Sequence, residues 1–330
     1  MRALVCNELG NAQKLSLEDN WPDPVPGPKE VIVDVKAAGL NFPDTLIIEG
    51  KYQVQPELPF IPGAEASGVV SAVGEKVSHL KVGDEVIFIG SHGGFCEKAT
   101  VPAMMVMPKP PKQSFVQAAG IGMTYFTSHY ALKQRANLQP GETVLVLGAG
   151  GGVGITAVEL AAQMGATVIA AASSQDKLEL AKSMGAEHLI NYSNEDLRAR
   201  IKEITAGKGV DVIYDPVGGD FTEAAFRSIA WKGRHLVIGF AAGDIPKLPI
   251  NLALLKGASI VGVFWGAFTQ HETGEHLKNV EELWTLFAQG KLSPTVTDVF
   301  AFEDYEKAFD HLTGRKARGK VILDIEGSHA

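Results

Sequence analysis

Cysteine and long apolar runs are scarce in this sequence. Its 330 residues include only two cysteines, Cys6 and Cys96, which lie far apart and outside any Cys-x-x-Cys spacing. This excludes a disulfide framework and a structural zinc site made of cysteines. No apolar run reaches the roughly 18 residues of a membrane span, and the opening MRALVCNELGNAQ lacks the features of a signal peptide. We therefore expect a cytoplasmic protein with no membrane partner.

Basic residues are also fewer than acidic residues, with 30 lysines and arginines against 38 aspartates and glutamates. The net charge is -8, and no block of lysine or arginine stands out in the sequence. Proteins that coat nucleic acid need a basic face, so we expect no nucleic-acid partner. The chain is 45% hydrophobic and 21% charged, which is typical of globular proteins, and its length suffices for about two domains.

The chain contains two regions that differ in their sequence pattern. The first 110 residues contain short β-type runs such as VIVDVKAAG and DEVIFIG, separated by proline and glycine, which predict a mostly antiparallel β domain. After Ser114 and a predicted helix in FTSHYALKQRANL, at least five apolar strands alternate with amphipathic helices. This alternation predicts a doubly wound parallel sheet. The closing segments SPTVTDVFA and GKVILDI again show the short β-type runs of the first region. We therefore expect one domain made of residues 1–123 and 264–330, and a second domain made of residues 124–263.

A glycine-rich stretch, LVLGAGGGVG at residues 145–154, follows the strand TVLVL and precedes a predicted helix. It matches the dinucleotide pattern Gly-x-Gly-x-x-Gly with Ala149 in place of the first glycine and with Gly151 and Gly154 in the other two positions. Gly152 and Val153 lie between them. Small residues here let an anion approach the N-terminus of the helix. Such a run also occurs where a strand and a helix simply pack closely. A P-loop is excluded because no Gly-Lys-Ser/Thr follows.

The residues after the next strand, TVIAAA, distinguish the two nicotinamide cofactors. A carboxylate here accepts hydrogen bonds from a free ribose 2′-hydroxyl, but the strand ends in Ser173 and Ser174, with Lys177 one helical turn further on. Hydroxyls and an ammonium suit a 2′-phosphate. The sequence therefore favours NADPH over NADH. Asp176 leaves the question open, since it either weakens this preference or acts at the start of the helix.

The whole chain resembles the medium-chain dehydrogenase/reductase superfamily and, within it, the zinc-free quinone oxidoreductases related to zeta-crystallin. The similarity is carried by segments such as AAGLNFPDTLIIEGKY, PFIPGAEASGVVSAVGEKV, GMTYFTSHYAL, GVDVIYDPVGG and ARGKVILDI. The resemblance implies an α/β fold with a GroES-like mostly-β catalytic domain plus a Rossmann doubly wound domain. It also implies an active site in the cleft between the domains, and a homodimer usually joined through the Rossmann sheets.

Zinc ligands are missing where zinc-dependent members of the superfamily carry them. Those members have a cysteine at the Asn41-Phe42 region and Gly-His-Glu where this chain has Gly63-Ala64-Glu65. We therefore expect no metal site. Without a Lewis acid to activate an alcohol, the expected reaction is reduction of an electron-poor acceptor, a quinone. An enone or enoyl reductase fits equally well, and a non-enzymatic NADPH-binding structural or regulatory protein is a third possibility.

The resemblance also implies roles for residues of the first domain and of the predicted helix. Asn41 is expected near the nicotinamide ribose with its amide donating to an acceptor oxygen, although it also suits a turn before Pro43. Tyr52 is expected to offer its hydroxyl to the substrate, with a packed aromatic as the alternative. Thr124 and Thr127 resemble contacts to the nicotinamide, but they also suit helix caps.

The remaining cofactor contacts are implied around the Rossmann sheet and near the C-terminus. Tyr192 resembles a residue that flanks the 2′-phosphate, and Lys320 or Arg318 is expected near the cofactor unless they are solvated charges before an edge strand. Phe240 and the segment Val263-Phe264-Trp265 follow two successive strands, where ligands of doubly wound sheets gather. Their backbone is expected to hold the carboxamide, and Trp265 is expected to stack on a flat quinone.

Overall fold

The structure, a computed structural model, describes residues 1–327. The chain divides into two compact units: Met1–Met123 together with the segment that starts at Pro294, and Thr124–Ser293. The second division thus comes after Ser293, thirty residues later than the expected boundary after Val263. Helices between these two points supply Phe268 and Phe287, which pack against aromatic side chains of the second unit. Their apolar contacts therefore keep them in that unit.

The N-terminal part of the first unit is made of short strands and two short helices: β1 (Ala3–Cys6), β2 (Leu15–Glu18), β3 (Glu30–Leu40), α1 (Phe42–Ile48), β4 (Glu65–Val73), β5 (Glu85–Ile89), β6 (Lys98–Pro102), β7 (Val106–Pro108) and α2 (Phe115–Ala118). Short 3-10 turns occupy Ala12–Lys14 and Ala103–Met105. Strands β1 and β2 form a separate antiparallel pair.

The middle of the chain alternates helices and strands: α3 (Gly122–Tyr130), a π-helical turn (Ala131–Arg135), β8 (Thr143–Leu147), α4 (Gly152–Gln163), β9 (Thr167–Ala172), α5 (Gln175–Ser183), β10 (His188–Asn191), α6 (Leu197–Ile204), β11 (Val210–Asp215), α7 (Asp220–Arg227), β12 (Ile229–Val237), α8 (Asn251–Lys256), β13 (Ser259–Gly262), α9 (Trp265–His271) and α10 (Thr273–Ala288). The predicted helix in FTSHYALKQRANL is confirmed as α3 and the π-helical turn.

The C-terminal segment completes the main sheet of the first unit. It contains β14 (Val296–Ala301), a 3-10 turn (Phe302–Asp304), α11 (Tyr305–Thr313) and β15 (Lys320–Asp324). The sheet has the order β14-β15-β3-β4-β5-β7, with β6 also paired to β3. All pairs are antiparallel except β14 with β15. The C-terminal tail therefore packs onto the first unit, and its last strand lies inside the sheet.

The second unit is built on six parallel strands in the order β10-β9-β8-β11-β12-β13. Its central strands are buried on both faces, as the fully buried Val144, Leu145 and Val146 of β8 show, and this explains their continuous apolar sequence. The predicted fold class, GroES-like β domain plus Rossmann domain, is confirmed. None of the helices within residues 1–327 combines the length and the apolar character needed to cross a bilayer.

Candidate functional site

The six parallel strands of the second unit end at one edge of their sheet, because parallel strands point the same way. The chain runs from β8 to β9 and β10 on one side and then returns to β11 on the other, so the switch point lies between β8 and β11. Ligands of doubly wound sheets bind at this point. The strand ends bring together most of the predicted cofactor residues: Ala149, Gly151, Gly152, Val153, Gly154, Ser173, Ser174, Lys177, Tyr192, Phe240, Val263, Phe264 and Trp265.

The glycine-rich turn after β8 has two kinds of glycine. At Gly154, an added Cβ would lie 2.2 Å from the carbonyl oxygen of Gly148, so this glycine allows the strand and helix α4 to pack closely. At Gly151, the N-cap of α4, an added Cβ would meet only the Gly148 carbonyl, at 3.5 Å. The first amides of a helix have no partner within the helix. The turn therefore leaves room for an anion at the N-terminus of α4.

The alanine that replaces the first glycine of the motif lies in the interior. Ala149 is fully buried, and its N–H donates to Ala171 of β9 at 3.1 Å. The preceding residue, Gly148, has a φ of 60°, a conformation that favours glycine. The tight turn of the motif is therefore made by Gly148, and Ala149 joins it to the neighbouring strand.

The residues after β9 lie beside this turn. A Cβ on Gly150 would be 2.5 Å from the Cβ of Lys177, so the base of the lysine side chain borders the glycine turn. The Ser174 hydroxyl donates to the Asp176 carboxylate, which places both residues at the start of α5. Ser173 is exposed. This group combines two hydroxyls, one ammonium and one carboxylate beside the anion-binding turn.

The other predicted residues at this edge differ in their packing. The ring of Tyr192 packs on Phe221 with centroids 4.3 Å apart. Phe264 is 55% exposed, whereas Trp265 begins α9 and packs on Phe126 at 5.8 Å. Trp265 therefore forms part of an internal aromatic group as well as the strand-end region.

Helix α3 is tied to the N-terminal end of α4 by a buried polar network that sequence reasoning missed. The hydroxyl of Ser128 lies 2.9 Å from that of Thr156 on α4 and 2.8 Å from that of Tyr214 on β11. The threonines predicted as contacts, Thr124 and Thr127, lie three residues apart in α3 and hence on one face of it. Neither acts as a helix cap, because α3 begins at Gly122. Tyr214 belongs to a family-like segment, VIYDPVGG, whose polar residues were not singled out.

The first unit contains a buried ionic cluster around Lys320. Its ammonium lies 2.6 Å from Oε1 of Glu65, donates to the Leu40 carbonyl at 3.0 Å, and donates to Oδ1 of Asn41. Lys320 is 5% exposed and Glu65 is 2% exposed. The interpretation of Lys320 as a solvated charge before an edge strand is therefore wrong, since its ammonium is buried and β15 lies between β14 and β3 in the sheet. A contact between Lys320 and the cofactor stays a prediction.

The same cluster determines what Asn41 can do. Its Nδ2 donates to Oε1 of Glu65 at 2.9 Å and to the carbonyl of Gly39 at 3.2 Å. Both amide hydrogens are thus used within the protein, which contradicts the expected donation to an acceptor oxygen in this arrangement. The second lone pair of Oδ1 remains, so the side chain can present an acceptor. Asn41 also precedes α1, as the turn interpretation requires, and its N–H donates to Asp44 at 2.7 Å.

Asp44 is fully buried and completes this cluster. Its second oxygen accepts the N–H of Ala64 at 3.1 Å. Burial raises the pKa of Asp44 to about 7, although the hydrogen bonds and the Lys320 ammonium act in the opposite direction. Glu65 additionally accepts the N–H of Met123 at 2.9 Å. The residues Asn41 and Glu65, which lie where the resemblance places zinc ligands in other members of the superfamily, are thus bound to each other and to the Lys320 ammonium.

Tyr52 and Arg318 also belong to the first unit. The Tyr52 ring packs against the core of the unit, and burial and the nearby Asp44 charge raise the pKa of its hydroxyl. The hydroxyl therefore stays protonated at neutral pH and can donate. Arg318 is exposed, and its carbonyl accepts a hydrogen bond from the Thr297 hydroxyl. Within residues 1–327, no group of three or more His, Cys, Asp or Glu side chains is arranged to hold a metal ion.

Comparisons with known proteins agree with this architecture. Residues 27–111 match the family model of the alcohol dehydrogenase GroES-like domain, and residues 152–282 match that of zinc-binding dehydrogenases. A quinone oxidoreductase-like protein 2 homolog from Nematostella vectensis is 40% identical over 327 residues, which cover 98% of this chain and 89% of the relative. The chain therefore belongs to the medium-chain dehydrogenase/reductase superfamily and, within it, to the zinc-free quinone oxidoreductase-like family.

Solved structures are similar over almost the whole chain. Escherichia coli quinone oxidoreductase in complex with NADPH has a TM-score of 0.91 and 30% identity, covering 98% of this chain and all of that one (100%). The CurK enoyl reductase has a TM-score of 0.88 and 32% identity, with 98% of each chain covered. Two kinds of reductase thus share this architecture.

The buried cluster of the first unit yields a stability prediction. Lys320→Met leaves the Glu65 carboxylate buried without its cation, so we expect the free energy of unfolding to fall by about 3–5 kcal/mol. Adding Glu65→Gln removes the unpaired charge and should restore part of the loss. Urea unfolding of the wild type, both single variants and the double variant measures the coupling.

A matched control is Lys36→Met, since Lys36 pairs with Glu326 at the surface of the same unit. That exposed pair should contribute about 1 kcal/mol or less. Additive effects of the Lys320 and Glu65 substitutions would contradict the coupling.

Proposed function

We propose that this chain is an NADPH-dependent, zinc-independent quinone oxidoreductase. In this proposal Thr124–Ser293 is the cofactor-binding half, and Met1–Met123 with the C-terminal segment is the catalytic half. The observation that carries the proposal is the glycine turn at the N-terminus of α4, with Lys177 at its border. This turn provides a place for the pyrophosphate of a dinucleotide.

The choice of NADPH rests on charge. A 2′-phosphate carries close to two negative charges, which suit the ammonium of Lys177 and the hydroxyls of Ser173 and Ser174. Asp176 would repel a phosphate if its carboxylate faced it, and would accept a free 2′-hydroxyl, so NADH is the necessary comparison. The NADPH in the structure of the similar Escherichia coli enzyme supports the first choice.

The chemistry is a two-electron reduction. Bound NADPH would supply a hydride from C4 of its nicotinamide, and the acceptor would take this hydride together with one proton from water, leaving NADP⁺ and a hydroquinone. Tyr52 is proposed to donate a hydrogen bond to the acceptor oxygen, since its raised pKa keeps the phenol protonated. Asn41 is proposed to act as an acceptor through Oδ1, because both of its amide hydrogens are bound to the protein.

An enone or enoyl reductase is the second candidate. The same hydride can add to the β-carbon of an alkene conjugated to a carbonyl, with the proton going to the α-carbon. The similarity to the CurK enoyl reductase favours this alternative. A non-enzymatic role in NADPH binding would retain the glycine turn but require no turnover.

Acceptor specificity is tested with purified protein. We expect NADPH oxidation with a panel of quinones and slower oxidation with α,β-unsaturated carbonyls, followed by absorbance at saturating cofactor. Tyr52→Phe should lower kcat by about tenfold or more, as expected for the loss of a hydrogen bond to the charge that develops on the acceptor oxygen. Faster turnover of enones than of quinones would favour the second candidate, and NADPH binding without turnover of either class would favour the non-enzymatic one.

Cofactor preference is tested at Lys177. Lys177→Ala removes a charged partner of the 2′-phosphate, so we expect the KM for NADPH to rise by about tenfold to a hundredfold while that for NADH changes little. Lys182→Ala, in the last turn of the same helix, is the matched control and should leave both values unchanged. An equal loss for NADPH and NADH would refute the 2′-phosphate assignment.

We also propose a homodimer formed through strand β13. This strand is the last of its sheet and lies near exposed apolar side chains, among them Trp231 (67%), Leu254 (81%), Leu255 (67%) and Ile260 (46%). An unpaired strand edge is complementary to a second copy of itself across a two-fold axis. The apolar neighbours would be buried by the same contact.

The dimer is tested by light scattering after size exclusion. The wild type should have about twice the chain mass of 35.1 kDa, and Leu254→Glu with Leu255→Glu should shift it toward the monomer because two charges would be buried. Val25→Glu is the control, since Val25 is 85% exposed but lies in the other unit. A monomeric wild type, or a double variant that stays dimeric, would contradict this interface.

A further inference from the structure

A buried carboxylate ends strand β11. Oδ1 of Asp215 accepts the N–H groups of Val217 and Gly218 at 2.9 and 2.8 Å, and Oδ2 accepts the hydroxyl of Thr222 at 2.7 Å. Asp215 is 3% exposed. One side chain thus fixes the loop after β11 and the first turn of α7.

The backbone of this residue holds the neighbouring loop as well. The Asp215 carbonyl accepts the N–H of Ile238 at 3.0 Å, at the end of β12. Further along, the N–H of Ala242 donates to the Val217 carbonyl at 2.8 Å. A Cβ on Gly218 would be 3.0 Å from the Phe240 ring, so the two loops are also in van der Waals contact. The loops after β11 and β12 therefore form one hydrogen-bonded body.

His235 lies behind this body. It is 1% exposed, and its Nε2 lies 3.2 Å from Oδ2 of Asp215. Ile213 is its partner in the register of β11 and β12, so Asp215, two residues on, is on the same face of the sheet. Nε2 must carry the hydrogen in order to donate to a carboxylate. Nδ1 makes no hydrogen bond within residues 1–327, which costs less for a ring acceptor than for a buried N–H.

The carboxylate is ionised despite its burial. Burial acts to raise the pKa of Asp215, but the hydrogen bonds from His235, Gly218 and Thr222 outweigh it and the pKa lies below its usual range. Burying a charge costs free energy unless hydrogen bonds or an opposite charge compensate for the lost hydration. Here the donors are the backbone and side chains that set the shape of the two loops.

These loops lie on the side of the switch point opposite to the adenosine-binding residues. Lys177 and the serines follow β9, whereas Asp215 ends β11 and Phe240 follows β12 on the other side of β8. If the proposed function holds and the pyrophosphate lies at the glycine turn, the nicotinamide half must extend toward β11 and β12.

We propose that Asp215 and His235 are positioning residues for the nicotinamide half of NADPH. They act through the backbone of Val217–Gly219 and Phe240–Ala242, and they have no part in binding the adenosine half. His235 orients the carboxylate, and the carboxylate orients the two loops.

The test separates the two halves of the cofactor in the full chain. His235→Leu should raise the KM for NADPH by about tenfold, as expected for losing one hydrogen bond to a buried charge, and lower kcat. The Kd for adenosine 2′,5′-bisphosphate, measured by calorimetry, should stay unchanged. His235→Gln, whose amide can donate in place of Nε2, should restore most of the loss. His188→Leu is the control, because His188 begins β10 and so lies at the edge of the sheet opposite to the strand ends. It should change neither the KM for NADPH nor the Kd for the bisphosphate.

Thr222→Val provides a second variant if His235→Leu does not fold, because it removes the hydroxyl that donates from α7 to the same oxygen and keeps the volume of the side chain. It should shift the KM for NADPH in the same direction. Equal weakening of NADPH and the bisphosphate would overturn the assignment as a general loss of structure, and an unchanged KM would overturn it as well. A wild type that binds neither molecule would instead overturn the proposed function on which this assignment rests.

Discussion

Parallel strand pairing is the constraint on which the second unit depends. Because all six strands point the same way, every loop that follows a strand emerges at one edge. Segments that are far apart in sequence, such as the glycine turn after β8 and the loop after β12, are thereby brought to a common surface. The close approach of Gly154 to the Gly148 carbonyl then allows helix α4 to begin immediately after β8. Any larger residue at that glycine would push the helix, and the site at its N-terminus, away from the strand.

Local pattern predicts much of this unit. The apolar strands, the glycine turn and the position of Lys177 one turn into α5 all follow from residues that are close in sequence, and each agrees with the structure. The boundary after Ser293 did not follow from such patterns. Helices α9 and α10 have no local feature that assigns them to either unit. Their place in the second unit comes from tertiary packing, such as that of Phe268 on Tyr130 and of Phe287 on Tyr125, with ring centroids 4.0 and 5.0 Å apart.

Residues whose surroundings come from distant segments were the ones interpreted wrongly. Lys320 stands in ARGKVIL, which is typical of solvated charge before a strand, yet the pairing of Val321 with Leu40 brings it to Glu65 and Asn41. No local pattern could reveal this pairing. Glycine provides the space: a Cβ on Gly39 would lie 2.8 Å from the Glu65 carboxylate and 2.9 Å from Cε of Lys320. The absence of a side chain at Gly39 is therefore as necessary for the cluster as its charged groups.

The two units hold their buried charges in different ways. In the first, Glu65 is neutralised by the Lys320 ammonium, so the loss of either partner leaves an uncompensated charge in the core. In the second, Asp215 has only neutral or weakly basic donors, and its charge is stabilised by backbone N–H groups, a hydroxyl and an imidazole. An ion pair tolerates small shifts of its partners, whereas these hydrogen bonds require the loop backbone to keep its direction. The Asp215 arrangement therefore ties charge burial to loop geometry, and the loops in question lie at the edge where a cofactor would bind.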